Sequence, residues 1–205
     1  MTEVAAASRL GTLDENGRAV LFTQARTANT FADTPVSDEE LGAIWELAKW
    51  APTSANTQPL RVVYVRTPEG KDRLLKHMAE GNRAKTASAP AVAVLAADTE
   101  FHETIPQIFP MRPEMKDFFG GDDDLRTNHA HFNATLQLGY FILAVRAFGL
   151  AAGPMTGFDK AGLDADFFPE GNLHSLAVVN IGHPGESPWF DRLPRLPHED
   201  VITWA

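Results

Sequence analysis

Cysteine is absent from the 205-residue chain. That excludes disulfides, a thiol nucleophile, iron–sulfur ligation by cysteine and a cysteine-based zinc centre. Redox chemistry, if the chain performs any, has to be carried by a bound cofactor. Basic residues are scarce: 18 Lys+Arg stand against 27 Asp+Glu, a formal net charge of −9. No basic stripe offsets this balance, so no nucleic-acid partner is expected. No apolar run is long enough for a bilayer, which takes about 20 residues. The most apolar stretch, Leu136 to Leu150, is interrupted by Gln137, Gly139, Arg146 and Gly149 and reads as a buried helix rather than a membrane span. Met1 to Gly17 has no basic segment followed by a sustained apolar one, so no secretory leader is read and the expected compartment is the cytoplasm. Internal repeats and Ser/Gly/Pro linkers are missing too, and one domain over residues 1–205 is expected. With 44% hydrophobic and 22% charged residues, the composition is that of an ordinary globular protein.

The elements follow from periodicity. Ser37 to Trp50 carries Leu41, Ile44, Trp45 and Ala48 at helical spacing, with Ser37 and Glu40 as a capping box. Leu60 to Arg66, between Pro59 and Pro68, is a β-branched and aromatic run that predicts a strand. Thr67 then caps a helix that begins at Pro68 and runs to about Met78. Ala91 to Ala97 and Ser175 to Ile181 predict two further strands. Asn128 to Phe148 predicts a long helix, apolar over most of its circumference, with His129, Asn133 and Gln137 forming one polar seam at i, i+4 and i+8. A helix with so much apolar surface needs neighbours on nearly all sides, which in a chain this small implies a second subunit and a homodimer. Between Asp98 and Leu125 lies a long, weakly regular stretch with three prolines, a Gly-Gly pair and the acidic run Asp122 to Asp124. Such a stretch reads as a lid or pocket wall, or else as a short irregular helix on the surface.

Four segments carry polar chemistry. Ala51 to Pro59 (APTSANTQP) gathers small hydroxyl and amide side chains between a helix and a strand. It suits a polar planar ligand, although a polar loop without a ligand has the same composition. Arg26, Thr27 and Asn29 combine a guanidinium with hydroxyl and amide groups, a set that grips phosphate and that also occurs as a solvated surface. In Gly149 to Gly157, Gly153 and Gly157 permit close approach of a flat ligand and Met155 offers a soft apolar surface, while a helix end followed by a turn would read alike. Asp191 to Arg195 places two arginines in a proline-containing tail. No metal is expected. His129 and His131 stand two apart on a helix and point to different faces. The run Asp122 to Asp124 lacks the spacing of a calcium loop and reads as solvated.

Taken together and in this order, these segments resemble the flavin-dependent nitroreductase family over nearly the whole chain from about Leu21. The family's phosphate-binding Arg-Ser segment corresponds to Arg26-Thr27 with Asn29. Its Ala-Pro-Ser-x-x-Asn-x-Gln-Pro loop corresponds to Pro52, Thr53, Ser54 and Asn56, its Gly-Pro-x-x-Gly stretch to Pro154, Met155, Thr156 and Gly157, and its late arginine to Arg195 beside Arg192. Further phrases, Gly81-Asn82 with Ala84-Lys85-Thr86, Val179 to Gly182 and Arg192 to Leu196, are similar to the subfamily that includes malonic semialdehyde reductase. Two departures stand out: Asn29 where many members have arginine, and Leu60 where many have tryptophan.

The resemblance implies an α+β fold with a mainly antiparallel central sheet flanked by helices. It also implies a long central helix at a homodimer interface and a C-terminal segment reaching to the partner. FMN is the implied cofactor and NADH or NADPH the reductant. No glycine-rich dinucleotide fingerprint distinguishes the two nicotinamides. Arg26, Thr27 and Arg195 are assigned to the phosphate and ribityl side. Asn56 and Ser54 are assigned to the edge of the isoalloxazine, Pro154 to Gly157 to its face, and a backbone amide near Thr156 to N5. The acceptor is a small molecule, malonic semialdehyde in the subfamily reading, with Arg112 for its carboxylate. A general nitro or quinone reductase, or a module that sequesters flavin without NAD(P)H turnover, are the other functions this resemblance allows.

Overall fold

The computed structural model describes residues 11–205. Most of the segment read for a secretory leader therefore lies outside the described residues. An N-terminal turn of helix, α1 (Glu15–Arg18), leads through an irregular turn to α2 (Asp38–Ala48). The capping box forms as the spacing predicts: the Glu40 amide donates to Ser37 Oγ over 3.1 Å, and the Ser37 amide donates to Glu40 Oε2 over 2.8 Å. Leu41, Ile44 and Ala48 make the buried face. Strand β1 (Leu60–Val65) is followed by α3 (Pro68–Leu75), with Thr67 Oγ1 accepting from the Gly70 amide. This helix ends three residues before the expected Met78. There the amides of His77 and Met78 turn back to the carbonyls of Leu74 and Leu75, and Met78 pairs instead with Phe158.

After α4 (Glu80–Ser88), a helix without an apolar periodic face, comes β2 (Ala91–Asp98), buried throughout. The stretch expected to be weakly regular contains a 3₁₀ turn (Phe101–Thr104) and two short helices, α5 (Ile105–Ile108) and α6 (Met115–Gly120). Phe101, Ile105 and Phe119 anchor it in the core. The long helix α7 (Asp123–Ala147) starts five residues earlier than Asn128. The acidic run is thus its N-terminus and not a solvated loop: Asp122 Oδ1 accepts from the Leu125 amide over 2.9 Å, and Asp123 and Asp124 sit at the positive end of the helix dipole.

Strand β3 (Ala151–Met155), helix α8 (Lys160–Phe167) and strand β4 (Leu173–Gly182) complete the fold. The sheet order is β1-β2-β4-β3, antiparallel throughout. Leu60 faces Ala97, Ala91 faces Ile181, and Ala151 faces Gly182. Strand β3 contains Gly153 and Pro154, residues poor in strand propensity, which the edge position accommodates because a proline there forfeits no ladder donor. Pleating divides the interior in two. Ala91, Ala93, Leu95, Val179 and Ile181 meet α2 and α7 on one face, while Val92, Val94, Ala96 and Val178 meet Leu74, Met78 and Leu163 on the other. The many alanines of β2 let the helices approach closely. The result is the expected α+β architecture, with α7 bearing an exposed apolar stripe of Phe132, Leu136 and Tyr140. No helix among the described residues is long and apolar enough to cross a membrane.

Candidate functional site

Two segments some 160 positions apart lie against each other. The Asn29 amide donates to the Pro188 carbonyl and the Ala32 amide to the His183 carbonyl, both over 3.0 Å, and the Gly185 amide donates to the Thr30 carbonyl. Gly185 is required here, because a Cβ would stand 2.8–2.9 Å from the Phe31 backbone. Their contact creates a pocket of about 250 Å³ whose lining includes Arg26, Thr27, Asn29, Arg192 and Arg195. The phosphate-side residues expected from sequence are thereby brought together. Arg26 donates to the Phe190 carbonyl, Arg192 to Ala25 over 3.3 Å, and Arg195 to Leu193 and Pro194 within its own segment. None of the three forms a salt bridge among the described residues, and Asp191 is the one carboxylate in the lining. In a chain of net charge −9, this is a local excess of positive charge with guanidinium donors to spare.

The Ala28 carbonyl of the same segment lies 3.3 Å from where a Cβ on Gly153 would stand, so the middle of β3 adjoins the segment that lines the cationic pocket. Gly153 and Gly157 do permit close approach, but to protein. Gly153 packs against Ala28 and Phe31, and a Cβ at Gly157 would fall 2.6 Å from Asn82 Nδ2. The Gly157 carbonyl accepts from Asn82 Nδ2 over 2.9 Å and from the Ala79 amide over 3.1 Å. Met155, read as a soft surface for a ring, is buried with its sulfur 4.0 Å from Thr86 Oγ1 and from Asn180 Nδ2. Its side chain thus faces the core, because Pro154 and Met155 alternate across the sheet. The exposed groups of this segment are backbone ones: Thr156 and Gly157 are exposed, and their amides meet no acceptor among the described residues.

The Pro52–Asn56 segment is built differently. Ala55, Asn56 and Gln58 have φ of 53°, 53° and 45°, a left-handed conformation that costs a non-glycine residue roughly 1 kcal/mol. Such strain persists only where the surroundings over-determine it. Here the polar seam of α7 does so. Asn133 Oδ1 accepts from the Ser54 amide over 2.8 Å, Gln137 Oε1 from the Leu60 amide over 2.9 Å, and His129 Nε2 lies 3.1 Å from Thr57 Oγ1. Thr53 Oγ1 accepts from the Gln58 amide over 3.2 Å. Asn56 donates to the Ile108 carbonyl and accepts from Gln58 Nε2, which leaves one N–H and one lone pair of its amide open. Pro52, Ser54 and Asn56 are exposed.

This loop enters β1 at one edge of the sheet, whereas Pro154 to Gly157 leaves β3 at the other. Three strand spacings, about 14 Å, separate those edges. One chain therefore assembles Arg26 and Arg195 in one place, with β3 leading from there to Thr156, and the Pro52 to Asn56 group at the other edge. Arg112 belongs to neither group; it is exposed and ion-paired with Glu114, whose carboxyl it holds below the usual range. His129 and His131 diverge as expected, the first toward Thr57 and the second toward His174 on β4, at 3.2 Å.

The model of the nitroreductase family matches residues 23–183, which include Arg26, the Pro52–Asn56 loop and Thr156 and stop short of Arg192 and Arg195. The chain belongs to the nitroreductase family. It is 64% identical over 187 residues to a Streptomyces coelicolor protein provisionally named NADH dehydrogenase/NAD(P)H nitroreductase, covering 91% of this chain and 93% of that one. A Streptomyces griseus protein of the same provisional name is 54% identical over 191 residues, covering 93% and 97%. Among solved structures, an Exiguobacterium sibiricum protein described as a nitroreductase in complex with FMN superimposes with a TM-score of 0.81 at 19% identity, covering 96% of this chain and 99% of that one. The nitroreductase fold thus frames both groups of residues.

Within this family member, sequence reasoning saw the seam of α7 but not its task. That His129, Asn133 and Gln137 secure the Pro52–Asn56 loop follows only once α7 is laid beside it. The i, i+4, i+8 spacing on an otherwise apolar helix was the available signal. Asn82 was noticed only as part of a resembling phrase, and its hold on Gly157 emerges from the pairing of Met78 with Phe158.

Proposed function

We propose that this chain is an FMN-dependent NAD(P)H oxidoreductase that acts on a small-molecule acceptor as a homodimer in the cytoplasm. The observation that carries the reading is the cationic pocket, where Arg26, Thr27, Asn29, Arg192 and Arg195 converge from the two ends of the chain. These residues fit a phosphate, and the free amides of Thr156 and Gly157, further along β3, fit a polar ring edge. When bound, FMN supplies the redox chemistry, taking hydride from NADH or NADPH and passing it to the acceptor in ping-pong fashion. The protein binds and orients. Arg26 and Arg195, with Arg192 beside them, hold the phosphate, and Thr27 and Asn29 add hydrogen bonds on the ribityl side. Pro154 to Gly157 would hold the face of the ring, and the Thr156 amide would supply a donor to the flavin, a contact that favours the reduced state. Ser54 and Asn56, with Pro52 and Thr53 shaping their loop, donate to the ring edge.

Since the Pro52–Asn56 loop and the Thr156 segment stand at opposite sheet edges, a partner chain completes the site by bringing its own loop to the first chain's pocket. The exposed stripe of α7 and the apolar tail support this arrangement. Phe190, Leu193, Leu196 and Trp204 are 73–85% exposed in the isolated chain, an apolar surface that demands cover.

The acceptor we favour is malonic semialdehyde, whose aldehyde takes one hydride and one proton to give 3-hydroxypropionate. Its carboxylate would displace Glu114 from Arg112. The deciding experiment is anaerobic: protein loaded with FMN is mixed with NADH or NADPH, and the flavin absorbance is followed. Bleaching is expected; an unchanged spectrum with both nicotinamides overturns the reductase reading. Arg26→Ala combined with Arg195→Ala should give colourless protein, and retained flavin overturns the pocket assignment. Arg112→Ala should slow malonic semialdehyde more than an uncharged quinone, and equal losses overturn the choice of acceptor.

A further inference from the structure

His129 connects two parts of the molecule that no other side chain of α7 links in this way. Its Nε2 lies 3.1 Å from the hydroxyl of the fully buried Thr57, which is also 3.1 Å from the Ser54 carbonyl. A hydroxyl has one proton and a carbonyl can only accept, so Thr57 donates to Ser54 and accepts from His129. Nε2 of the ring therefore carries a proton, and the neutral form of the ring is the Nε2–H tautomer. This relay ends on the first residue of the turn in which Ala55 and Asn56 are left-handed. On its other side the imidazole is held by two phenyl rings. Phe101 stacks on it at 5.2 Å and 26°, and Phe119 lies 4.4 Å away at 50°.

We propose that His129 is a positioning residue for the cofactor loop. Its Nε2–H, relayed through Thr57, locks the turn that presents Ser54 and Asn56, and its stacked ring ties that lock to the wall formed by Phe101 and Phe119. The proposal rests on the reading of Pro52–Asn56 as a cofactor loop.

Burial pushes the His129 pKa below the usual imidazole range, against a smaller opposite pull from the Ser54 backbone. Ionisable groups near this side chain are already engaged with others: Arg126 with Glu100 and Asp123, Lys116 with Glu103, and His102 with Glu100 and Glu103. The loop residues that face His129, Ser54 and Thr57, do not titrate near neutrality. A second proton would go to Nδ1 and leave the Nε2–H in place, so the bond to Thr57 persists while burial opposes the charge.

Three single variants test the proposal, with two readouts. FMN affinity is measured by fluorescence titration, and amide exchange at Ser54 and Leu60 is measured on the apoprotein. His129→Phe keeps a flat ring between Phe101 and Phe119 and deletes the N–H. It should weaken FMN binding roughly five- to tenfold, the worth of one hydrogen bond, and speed exchange at both amides. Thr57→Val should do the same, and the double variant should be no worse than either single one, because both break one relay. His129→Gln restores an N–H donor on a side chain of another shape; affinity should stay within about twofold of wild type. Unchanged affinity and exchange in His129→Phe overturn the proposal. Equal losses in His129→Gln and His129→Phe also overturn it, because they indicate packing alone. If the exchange pattern holds but wild type binds no FMN, the lock stands and the cofactor reading falls.

Discussion

The Pro52–Asn56 loop and the segment from His183 to Ala205 are both exposed and both contribute to the proposed site, yet they are held in opposite ways. The loop is tied down by the chain's own helix: three side chains of α7 reach Ser54, Thr57 and Leu60. The tail is tied by backbone pairing of its start with Asn29 to Ala32 and by two arginine bonds, Arg26 to Phe190 and Arg192 to Ala25, and beyond Pro188 it presents apolar side chains to solvent. The first region is rigid enough to store left-handed strain. The second has its stability to gain from a surface that the single chain does not provide. Preorganisation in the one and dependence in the other divide the work of building a site between the fold and the assembly.

Removing residues 189–205 should break this comparison most severely. The truncated chain is expected to be monomeric by light scattering. It should also lose FMN affinity by about 100-fold or more, since Arg192 and Arg195 leave with the tail and each charge-assisted hydrogen bond contributes about 1.5–3 kcal/mol. The loop should be unaffected, with the Ser54 amide still protected from exchange. Asn133→Leu acts on the loop alone. It leaves the Ser54 amide without its acceptor and should cost about 2–3 kcal/mol in denaturant unfolding while the oligomeric state persists. Gln137→Leu should cost less, about 1 kcal/mol. It deprives the Leu60 amide of a partner but also removes Gln137 Nε2, a buried donor with no acceptor of its own. If Gln137→Leu proves the more harmful, hydrogen bonding is not what fixes the loop.

The smallest expected effect is on pH. Burial holds both His129 and His131 below the usual imidazole range, and Lys160 and His174 push His131 further down while Asp164 opposes them. The folded chain thus prefers both rings neutral, whereas the unfolded chain takes up protons at the ordinary value of about 6.5. Their contribution to stability is complete above that value and is lost as pH falls through it toward the lower folded values. A melting temperature that declines below about pH 6.5 in wild type, and less so in His129→Gln, would sharpen the assignment.

Sequence patterns disclosed those parts of the structure that depend on neighbours along the chain. The Ser37 capping box, strands β1, β2 and β4, and the seam of α7 all follow from spacings of two to eight residues. Strand β3 was hidden because Gly153 and Pro154 argue against a strand until it is known to lie at an edge. Helices α4 and α8 carry few apolar residues at regular spacing and gave no periodic signal. The start of α7 was misjudged because three consecutive aspartates look solvated unless Asp122 is recognised as a cap. Of the candidate site, the residue types were legible but the grouping was not. Arg26 and Arg195 meet across 169 positions, a juxtaposition that no local pattern encodes, and the family resemblance was what linked them. The inward turn of Met155 and the hold of Asn82 on Gly157 emerge only from the pleat of β3 and the pairing of Met78 with Phe158.

Pro154 has a consequence for how the molecule behaves at high concentration. Strand β3 forms one border of the sheet, and a border of unbroken amides is a template on which further chains polymerise. Proline deletes a donor from that row. Strand growth is thereby discouraged on the β3 side, and the β1 side is left as the border open to pairing. A chain carrying Pro154→Val should become more prone to fibre formation, since the substitution restores a single hydrogen atom to that row.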